Sequence, residues 1–382
     1  MEREIYLDNA ATTQALPTVT AAVVDALEKN YANPSSLHRF GLKSEKILKK
    51  SRKTAADYLG VKDKEIIFTS GGTESNNLAI RGITEAYKNR GKHLITSPIE
   101  HSSVAELFKA LENENWEVDI VKVDQQGHVD LDHLKSLITD ETLLVSIMQV
   151  NNELGTIQPI KKIAELIKEN NPLSFFHVDG VQAFGKIYSN LNSWLVDLYS
   201  ISGHKIHGPK GVGALYIKKG INLKPLVYGG GQERNLRSGT ENIPGIAGLK
   251  EAVKNLPQFS AENNIDSNLA KKRDYLFEQL QKIEDLIINS PTAGAPHIIN
   301  FSIPGIKGET MLHAMESQGI YISTGSACSS KTKGSRIINA CGLSEARSES
   351  ALRASLNRQI TIEDLDFFIK TLKEQIDFLK LF

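Results

Sequence analysis

The sequence predicts an α/β protein whose mainly parallel sheet lies between helices, joined to a smaller α+β part. Short apolar runs recur over the first two-thirds of the chain, and helical patterns such as residues 160–169 separate most of them. This alternation is typical of a parallel sheet that is covered on both faces. A seven-stranded sheet is expected, with strands at residues 66–68, 93–96, 118–121, 143–147, 175–178, 198–201 and 212–217.

The pattern changes near residue 255. Residues 264–283 predict a long amphipathic helix, residues 298–302 and 320–323 predict short strands, and a helical C-terminus starts at Ile362. A chain of 382 residues is long enough for two domains. We therefore expect a large domain of residues 14–255. The smaller domain would contain residues 256–382 and residues 1–13, including a strand around Ile5.

Composition provides no indication of nucleic acid or membrane binding, because Lys+Arg and Asp+Glu both number 45. The basic stretch at residues 43–53 is interpreted as a solvated helix face rather than a docking surface for RNA or an acidic partner. The two cysteines, Cys328 and Cys341, form no disulfide framework and no CxxC motif. With a charged N-terminus and no long apolar run, these features predict a cytoplasmic protein.

A glycine-rich turn, residues 70–77, follows the first large-domain strand and precedes a helical pattern. Gly72 lets the backbone approach a ligand, and the helix start offers N–H groups and a positive dipole end to an anion. Thr73 adds a hydroxyl. Alone, the turn is explained equally well as a tight strand–helix connection with a threonine cap.

Asp179 stands where an apolar strand ends, at the edge where open α/β sheets bind ligands. A carboxylate there can keep a pyridinium nitrogen protonated, although an isolated strand-end aspartate more commonly caps a turn. Further along, Ser202 and His204 could donate to a phosphate, and Lys205 could form a Schiff base with an aldehyde. A metal pair of His204 and His207 is disfavoured because HxxH alone is a poor zinc site.

These motifs together resemble the fold-type I pyridoxal-phosphate enzymes, through Asp179-x-x-Gln182 and Ser202-Gly203-His204-Lys205. The resemblance narrows to the group I cysteine desulfurases of the NifS/IscS type at Thr324-Gly325-Ser326-Ala327-Cys328. Leu7-Asp8-Asn9-Ala10-Ala11-Thr12-Thr13 and Asn33-Pro34-Ser35-Ser36-x-His38 match the same family. The similarity covers essentially the whole chain.

The resemblance implies pyridoxal 5'-phosphate as cofactor and a role for each matching residue. Lys205 would carry the cofactor, Asp179 would pair with the ring nitrogen, and Gln182 would contact the ring oxygen. His101 would stack on the ring and help to move protons. Gly72, Thr73, Ser202 and His204 would bind the phosphate. Thr240 would reach the phosphate of the other subunit in a homodimer. Asn152 would contact the cofactor and, with Arg353, hold the substrate carboxylate. Taken singly, His101, Asn152 and Arg353 would each be interpreted as structural.

The implied reaction takes sulfur from L-cysteine, with Cys328 as the persulfide-forming nucleophile. The sulfur would pass to an iron–sulfur scaffold, a tRNA-thiolating enzyme or both. No metal site of its own is expected, although Cys328 could share a scaffold-bound cluster. The enzymatic alternatives are a selenocysteine lyase, a β-eliminating lyase or an aminotransferase on the same fold, and the non-enzymatic alternative is a sulfur-relay or scaffold protein. Cys341 has no supporting motif and is interpreted as structural. Asn357 stands where the family commonly has glycine, and asparagine tolerates the left-handed backbone such a turn uses.

Overall fold

The computed structural model describes residues 4–325 and 334–381, so Cys328 lies outside the described residues. The strands are β1 (Ile5–Tyr6), β2 (Ile66–Thr69), β3 (His93–Thr96), β4 (Glu117–Ile120), β5 (Thr142–Ser146), β6 (Phe175–Asp179), β7 (Leu198–Ser202), β8 (Gly213–Ile217), β9 (Ile287–Ile288), β10 (Ile298–Ser302), β11 (Ile320–Tyr321) and β12 (Ala351–Ser355). The helices are α1 (Pro17–Lys29), α2 (Arg39–Leu59), α3 (Gly72–Tyr87), α4 (Ser102–Asn113), α5 (Leu131–Leu137), α6 (Ile160–Asn170), α7 (Ile243–Lys254), α8 (Ser267–Leu280), α9 (Gly308–Glu316), α10 (Arg336–Ala340), α11 (Glu345–Glu349) and α12 (Ile362–Leu379).

The predicted seven-stranded sheet is confirmed, in the order β2-β8-β7-β6-β5-β3-β4. Strands β7, β6, β5, β3 and β4 pair in parallel, whereas β8 runs antiparallel to both β7 and β2. Every predicted strand of this sheet is present to within one residue at each end. The carboxyl ends of β2 and of the five parallel strands therefore lie at one edge of the sheet.

Six of the seven strands are buried on both faces, which explains why they are apolar runs rather than alternating patterns, whereas the edge strand β4 is partly exposed. Ile66, Val145 and Phe176 pack into the hydrophobic cluster that includes α1, α2, α6 and α7. The residue next to each points to the opposite face, where Ile67, Leu144 and Phe175 pack against α3 and α4. Because successive side chains of a strand point to opposite faces, each strand packs against the helices on both sides of the sheet.

A separate hydrophobic cluster gathers Ile5 and Leu7 with residues of α8, β10, α9, β12 and α12. Here β12, β10 and β9 form an antiparallel sheet, and β1 pairs in parallel with β11. The helix at α8, the strands β10 and β11 and the C-terminal helix were predicted, whereas β9 and β12 were not. No helix among the described residues is long and apolar enough to cross a membrane.

Candidate active site

One cavity of about 200 Å³ opens at the edge where the parallel strands end. Ten of the predicted site residues line it: Gly72, Thr73, His101, Asn152, Asp179, Gln182, Ser202, His204, Lys205 and Arg353. They lie at or after the ends of β2, β3, β5, β6 and β7, and β12 contributes Arg353. The topology therefore brings together residues that are up to 281 positions apart in the sequence.

The start of α3 forms one wall of the cavity. A Cβ at Gly72 would lie 2.8 Å from Val181 Cγ2 and 3.7 Å from Ser202 Cβ, so only glycine fits between these side chains. Ser202 Oγ is buried and has no hydrogen-bond partner among the described residues. A 16-residue helix beginning here directs free N–H groups and a positive dipole end into the same space. This wall is suited to a phosphate.

His204 completes the polar side of this wall. Burial, assisted by the positive charges of the nearby Lys205 and Lys210, lowers the pKa of His204 to about 4. Its Nδ1 lies 3.2 Å from Thr12 Oγ1. The ring is therefore neutral at physiological pH and offers one N–H donor rather than a positive charge.

Asp179 lies at the end of β6 and faces the cavity. Its Oδ2 accepts a hydrogen bond from Asn76 Nδ2 at 2.8 Å, and its Oδ1 accepts one from Val181 N at 3.0 Å. The chain turns directly afterwards at Gly180, where a Cβ would lie only 1.9 Å from the Tyr199 ring. These contacts hold an oriented carboxylate, as the pairing of a ring nitrogen requires.

His101 is the N-cap residue of α4, and its Nδ1 accepts a hydrogen bond from Ser103 N at 3.1 Å. Burial lowers the pKa of His101; the negative charge of Asp179 opposes this effect and the positive charge of Lys205 adds to it. The site therefore contains a neutral imidazole beside the strand-end carboxylate.

Lys205 ends a short 3₁₀ turn that follows β7 directly. Its Nζ donates to the backbone oxygens of Ala10 and Ala11, at 2.6 Å and 2.7 Å. Behind it, the Nζ of buried Lys186 donates to the Lys205 backbone oxygen at 3.0 Å. The predicted amine thus lies in the cavity, held by the N-terminal segment.

Arg353 is 2 % exposed in the middle of β12 and forms the opposite end of the cavity. One guanidinium nitrogen donates to the Asn152 backbone oxygen at 2.8 Å, and another donates to Asp8 Oδ1 at 2.7 Å. Arg353 Nε and Asn152 Oδ1 have no hydrogen-bond partner among the described residues. A charged donor and an amide group therefore converge where a carboxylate could bind.

Gln182 has partners on both sides of its amide. Its Nε2 donates to Ala10 O at 2.9 Å, and its Oε1 lies 3.2 Å from His297 Nε2. Burial holds the pKa of His297 well below its ordinary value, so this neutral ring donates through Nε2. The predicted contact of Gln182 with a ring oxygen would use the second amide proton, and it stays a prediction.

The groups in this cavity fit pyridoxal phosphate. Four buried polar atoms of residues that line it have no hydrogen-bond partner among the described residues: Asn76 Oδ1, Asn152 Oδ1, Ser202 Oγ and Arg353 Nε. The glycine-lined helix start suits the phosphate, the Asp179 carboxylate suits the ring nitrogen, and the Lys205 amine suits the aldehyde.

Thr240 does not line the cavity, and Cys328 lies outside the described residues. Thr240 is exposed, close in sequence to Arg237, whose Nε pairs with Glu74 Oε1 in the first turn of α3 at 3.0 Å. Its role toward a second subunit stays a prediction.

The expectation for Asn357 was wrong in its mechanism. Asn357 does not adopt a positive φ. Instead its Oδ1 accepts hydrogen bonds from Gln359 N and Ile360 N, both at 2.9 Å, and its Nδ2 donates to Asn9 Oδ1 at 3.2 Å. The turn before α12 is therefore closed by the asparagine side chain, a contact that glycine could not make.

Sequence reasoning missed several supporting residues. Asn76 lies in the quoted glycine-rich segment but was given no role, and Ser103 follows His101 by two positions. Lys186 and His297 are buried beside the site and carry no motif. The one sequence signal for Asn76 is its spacing of four positions from Gly72, since residues four apart on a helix lie on the same face.

Comparison with known proteins agrees with this geometry. Residues 5–368 match the profile of the aminotransferase class-V family. A cysteine desulfurase IscS of Methanosarcina thermophila is 44% identical over 99% of this chain and 93% of its own length. A NifS/IcsS protein homolog of Lactobacillus delbrueckii subsp. bulgaricus is 46% identical over 97% of this chain and 96% of its own.

Solved structures show the same similarity. A NifS-like protein superposes with a TM-score of 0.91 at 37% identity, covering 98% of this chain and 100% of its own. The structure of SspA in complex with cysteine gives a TM-score of 0.82 at 34% identity, covering 92% and 98%. The predicted fold class is thereby confirmed, and the chain belongs to the aminotransferase class-V family.

Proposed function

We propose that this enzyme is a cysteine desulfurase, which converts L-cysteine to L-alanine and leaves the sulfur as a persulfide on Cys328. One observation carries the proposal. The cavity unites an amine, a strand-end carboxylate, a neutral histidine and a buried arginine in a chain that is similar over its length to enzymes named cysteine desulfurase. The relative SspA has been solved with cysteine bound, which supports the substrate.

Pyridoxal phosphate is the cofactor, as in the family and the relatives that this chain matches. Gly72, Thr73, Ser202 and His204 would hold its phosphate, and Asp179 its ring nitrogen. When bound, it supplies an electron sink for the pair of electrons released at the substrate Cα.

The protein's own residues place the substrate and move its proton. Arg353 and Asn152 bind the carboxylate of L-cysteine, and the arginine is held in place by its bonds to Asp8 and the Asn152 carbonyl. This orients Cα toward the Lys205 amine, which takes the Cα proton at Nζ. His101 lies beside them as a neutral ring that can donate a hydrogen bond.

Cys328 performs the sulfur transfer. Its thiolate attacks the sulfur of the substrate; an S–S bond forms while the Cβ–S bond breaks, and the electron pair of that bond stays with carbon. A proton then converts this carbon to the methyl group of L-alanine. A β-eliminating lyase or a selenocysteine lyase needs no protein thiol, so the requirement for Cys328 separates the alternatives.

We also propose a homodimer, the kind of sulfur acceptor and a division into two domains. A homodimer in which Thr240 reaches the partner's phosphate site is supported by the exposure of Thr240, three positions after Arg237, which pairs with Glu74 in α3. We propose transfer of sulfur to an iron–sulfur scaffold, a tRNA-thiolating enzyme or both, in the cytoplasm, as the resemblance to the NifS/IscS type implies. Separate hydrophobic clusters support the division into residues 14–255 and residues 1–13 with 256–382.

The test uses Cys328→Ala with Cys341→Ala as its matched control. Cys341 is 3 % exposed, and burial raises the pKa of its thiol to about 12, so it cannot supply a thiolate. We expect Cys328→Ala to keep the cofactor absorbance and the cysteine-induced spectral change but to release no sulfide under thiol. Full sulfide release by Cys328→Ala would refute the persulfide step.

A second variant tests the cofactor site. Lys205→Ala should lose the visible absorbance of the lysine-bound cofactor and all alanine formation. An unchanged spectrum in this variant would refute the role of Lys205.

A further inference from the structure

A chain of hydrogen bonds runs from Asp179 to His101. Asn76 Nδ2, which donates to Asp179 Oδ2 at 2.8 Å, also donates to Ser103 Oγ at 2.9 Å. Ser103 Oγ in turn lies 2.8 Å from His101 Nδ1. Asn76 is 1 % exposed on α3, and Ser103 lies in the first turn of α4. Two helices thus hold the chain in place.

The direction of each hydrogen bond follows from the carboxylate. An ionised carboxylate only accepts, so it fixes the NH₂ group of Asn76 toward Asp179, and the second amide proton goes to Ser103. The Ser103 oxygen is then an acceptor, and its own proton is left for His101 Nδ1. The backbone N–H of Ser103 also donates to Nδ1, at 3.1 Å. His101 Nδ1 is therefore an acceptor from two donors.

The remaining surroundings favour a neutral His101. The charged groups that act on the ring are Asp179, Lys205, Arg336 and Glu153, and burial outweighs the two carboxylates in lowering its pKa. A neutral imidazole has one proton, and with Nδ1 accepting, that proton is on Nε2. Nε2 makes no hydrogen bond with any described residue, and His101 lines the cavity.

We propose that Asn76 and Ser103 are positioning residues that lock His101 in its Nε2-protonated tautomer, so that it presents a hydrogen-bond donor to the cavity. Only the identity of the acceptor, a substrate or cofactor atom, rests on the proposed function. The tautomer follows from the protein alone. In this state Nε2 cannot take a proton, which leaves the Lys205 amine as the base for the Cα proton.

The experiment compares Ser103→Ala, Ser103→Thr and the control Ser102→Ala in the cofactor-loaded enzyme. The Ser102 hydroxyl is one position away and makes no hydrogen bond with a described residue. Long-range ¹H–¹⁵N spectra of ¹⁵N-histidine protein, with His101→Gln to assign the signal, report the tautomer without cysteine. We expect Nε2–H in the wild type and, in Ser103→Ala, an Nδ1–H fraction raised on the order of fivefold, as the loss of one hydrogen bond implies.

Kinetics provide the second readout. Ser103→Ala should lower kcat on the order of fivefold with KM for cysteine unchanged, while Ser103→Thr, which keeps the hydroxyl, and Ser102→Ala keep the wild-type value. Asn76→Ala, which frees the Ser103 hydroxyl, should move the tautomer in the same direction.

Three outcomes would overturn the proposal: a proton on Nδ1 in the wild type, a wild-type kcat in Ser103→Ala, or equal losses in the alanine and threonine variants. An inactive wild type with an Nε2–H signal would instead refute the proposed function and leave the tautomer lock standing.

Discussion

Replacing Lys186 by methionine should make the stability of the protein less dependent on pH. Lys186 is 8 % exposed, and its side-chain amine donates to the Lys205 backbone oxygen at 3.0 Å. Burial, reinforced by the charges of Lys205 and Arg358 and opposed by Asp266, lowers its pKa from 10.5 to about 7. The wild-type folded state therefore disfavours the proton that the unfolded chain binds below pH 10.5.

The sign and size follow from proton linkage. Between about pH 7 and 10.5 the unfolded chain binds more protons at this lysine, so the free energy of unfolding rises with pH. Over this interval the change is about 4 kcal/mol, because each titration is half complete at its end of the range, and between pH 7 and 9.5 it is about 3 kcal/mol. Methionine has no such proton. The free energy of unfolding of the variant should therefore rise by about 3 kcal/mol relative to that of the wild type as pH falls from 9.5 to 7. The lost hydrogen bond, about 1 kcal/mol, shifts the difference equally at all pH values.

The assay is urea unfolding of wild type, Lys186→Met and the exposed control Lys282→Met at several pH values with saturating cofactor. Only the difference between variant and wild type is used, because the other titrating groups cancel in it. A difference for Lys186→Met that stays constant between pH 7 and 9.5 would refute the low pKa of the buried amine.

Three further predictions concern the cavity and its surroundings. The free energy of unfolding of Glu100→Gln should rise relative to that of the wild type as pH rises from about 4.5 to 8, because burial raises the pKa of this fully buried carboxyl to about 8. Urea unfolding at both ends of that pH range measures the difference. Gly72→Ala should weaken cofactor binding about tenfold and destabilise the protein by about 1–3 kcal/mol, because the new Cβ would overlap Val181. Equilibrium dialysis measures the cofactor affinity, and an unchanged affinity would contradict this prediction. Arg353→Lys should raise KM for cysteine at least about tenfold with the cofactor spectrum retained, because lysine cannot replace a guanidinium held by two partners; a wild-type KM would exclude arginine from carboxylate binding.

The central sheet and the cavity could be predicted from the sequence for a physical reason. Strands buried on both faces are apolar throughout, so residues such as Leu144 and Phe175 mark them directly. Polar residues at the ends of such strands, Asp179 above all, then had to meet at one edge. The reversed direction of β8 is also explained, since residues 203–212 are too few for a parallel crossover.

Strand β12 could not be predicted, because its central residue is the charged Arg353 and the short run around it shows no strand period. Inside the protein its charge is paired with Asp8 and the Asn152 carbonyl, which are distant in sequence. The same holds for Lys186, His297 and Asn76, whose roles depend on neighbours across the fold. At Asn357 the sequence indicated a tolerant backbone, whereas in the structure the asparagine side chain closes the turn.

The pairing of Asp8 with Arg353 has a consequence for synthesis of the protein on the ribosome. The two residues are 345 positions apart, and Ala10 lies 195 positions before the Lys205 amine to which its carbonyl is bonded. A nascent chain that has emerged as far as residue 300 already contains Lys205, Asp179 and His101 but not the Arg353 guanidinium, which we propose binds the substrate carboxylate. Under this proposal, recognition of the substrate requires the finished polypeptide, and an incomplete translation product cannot expose a working site.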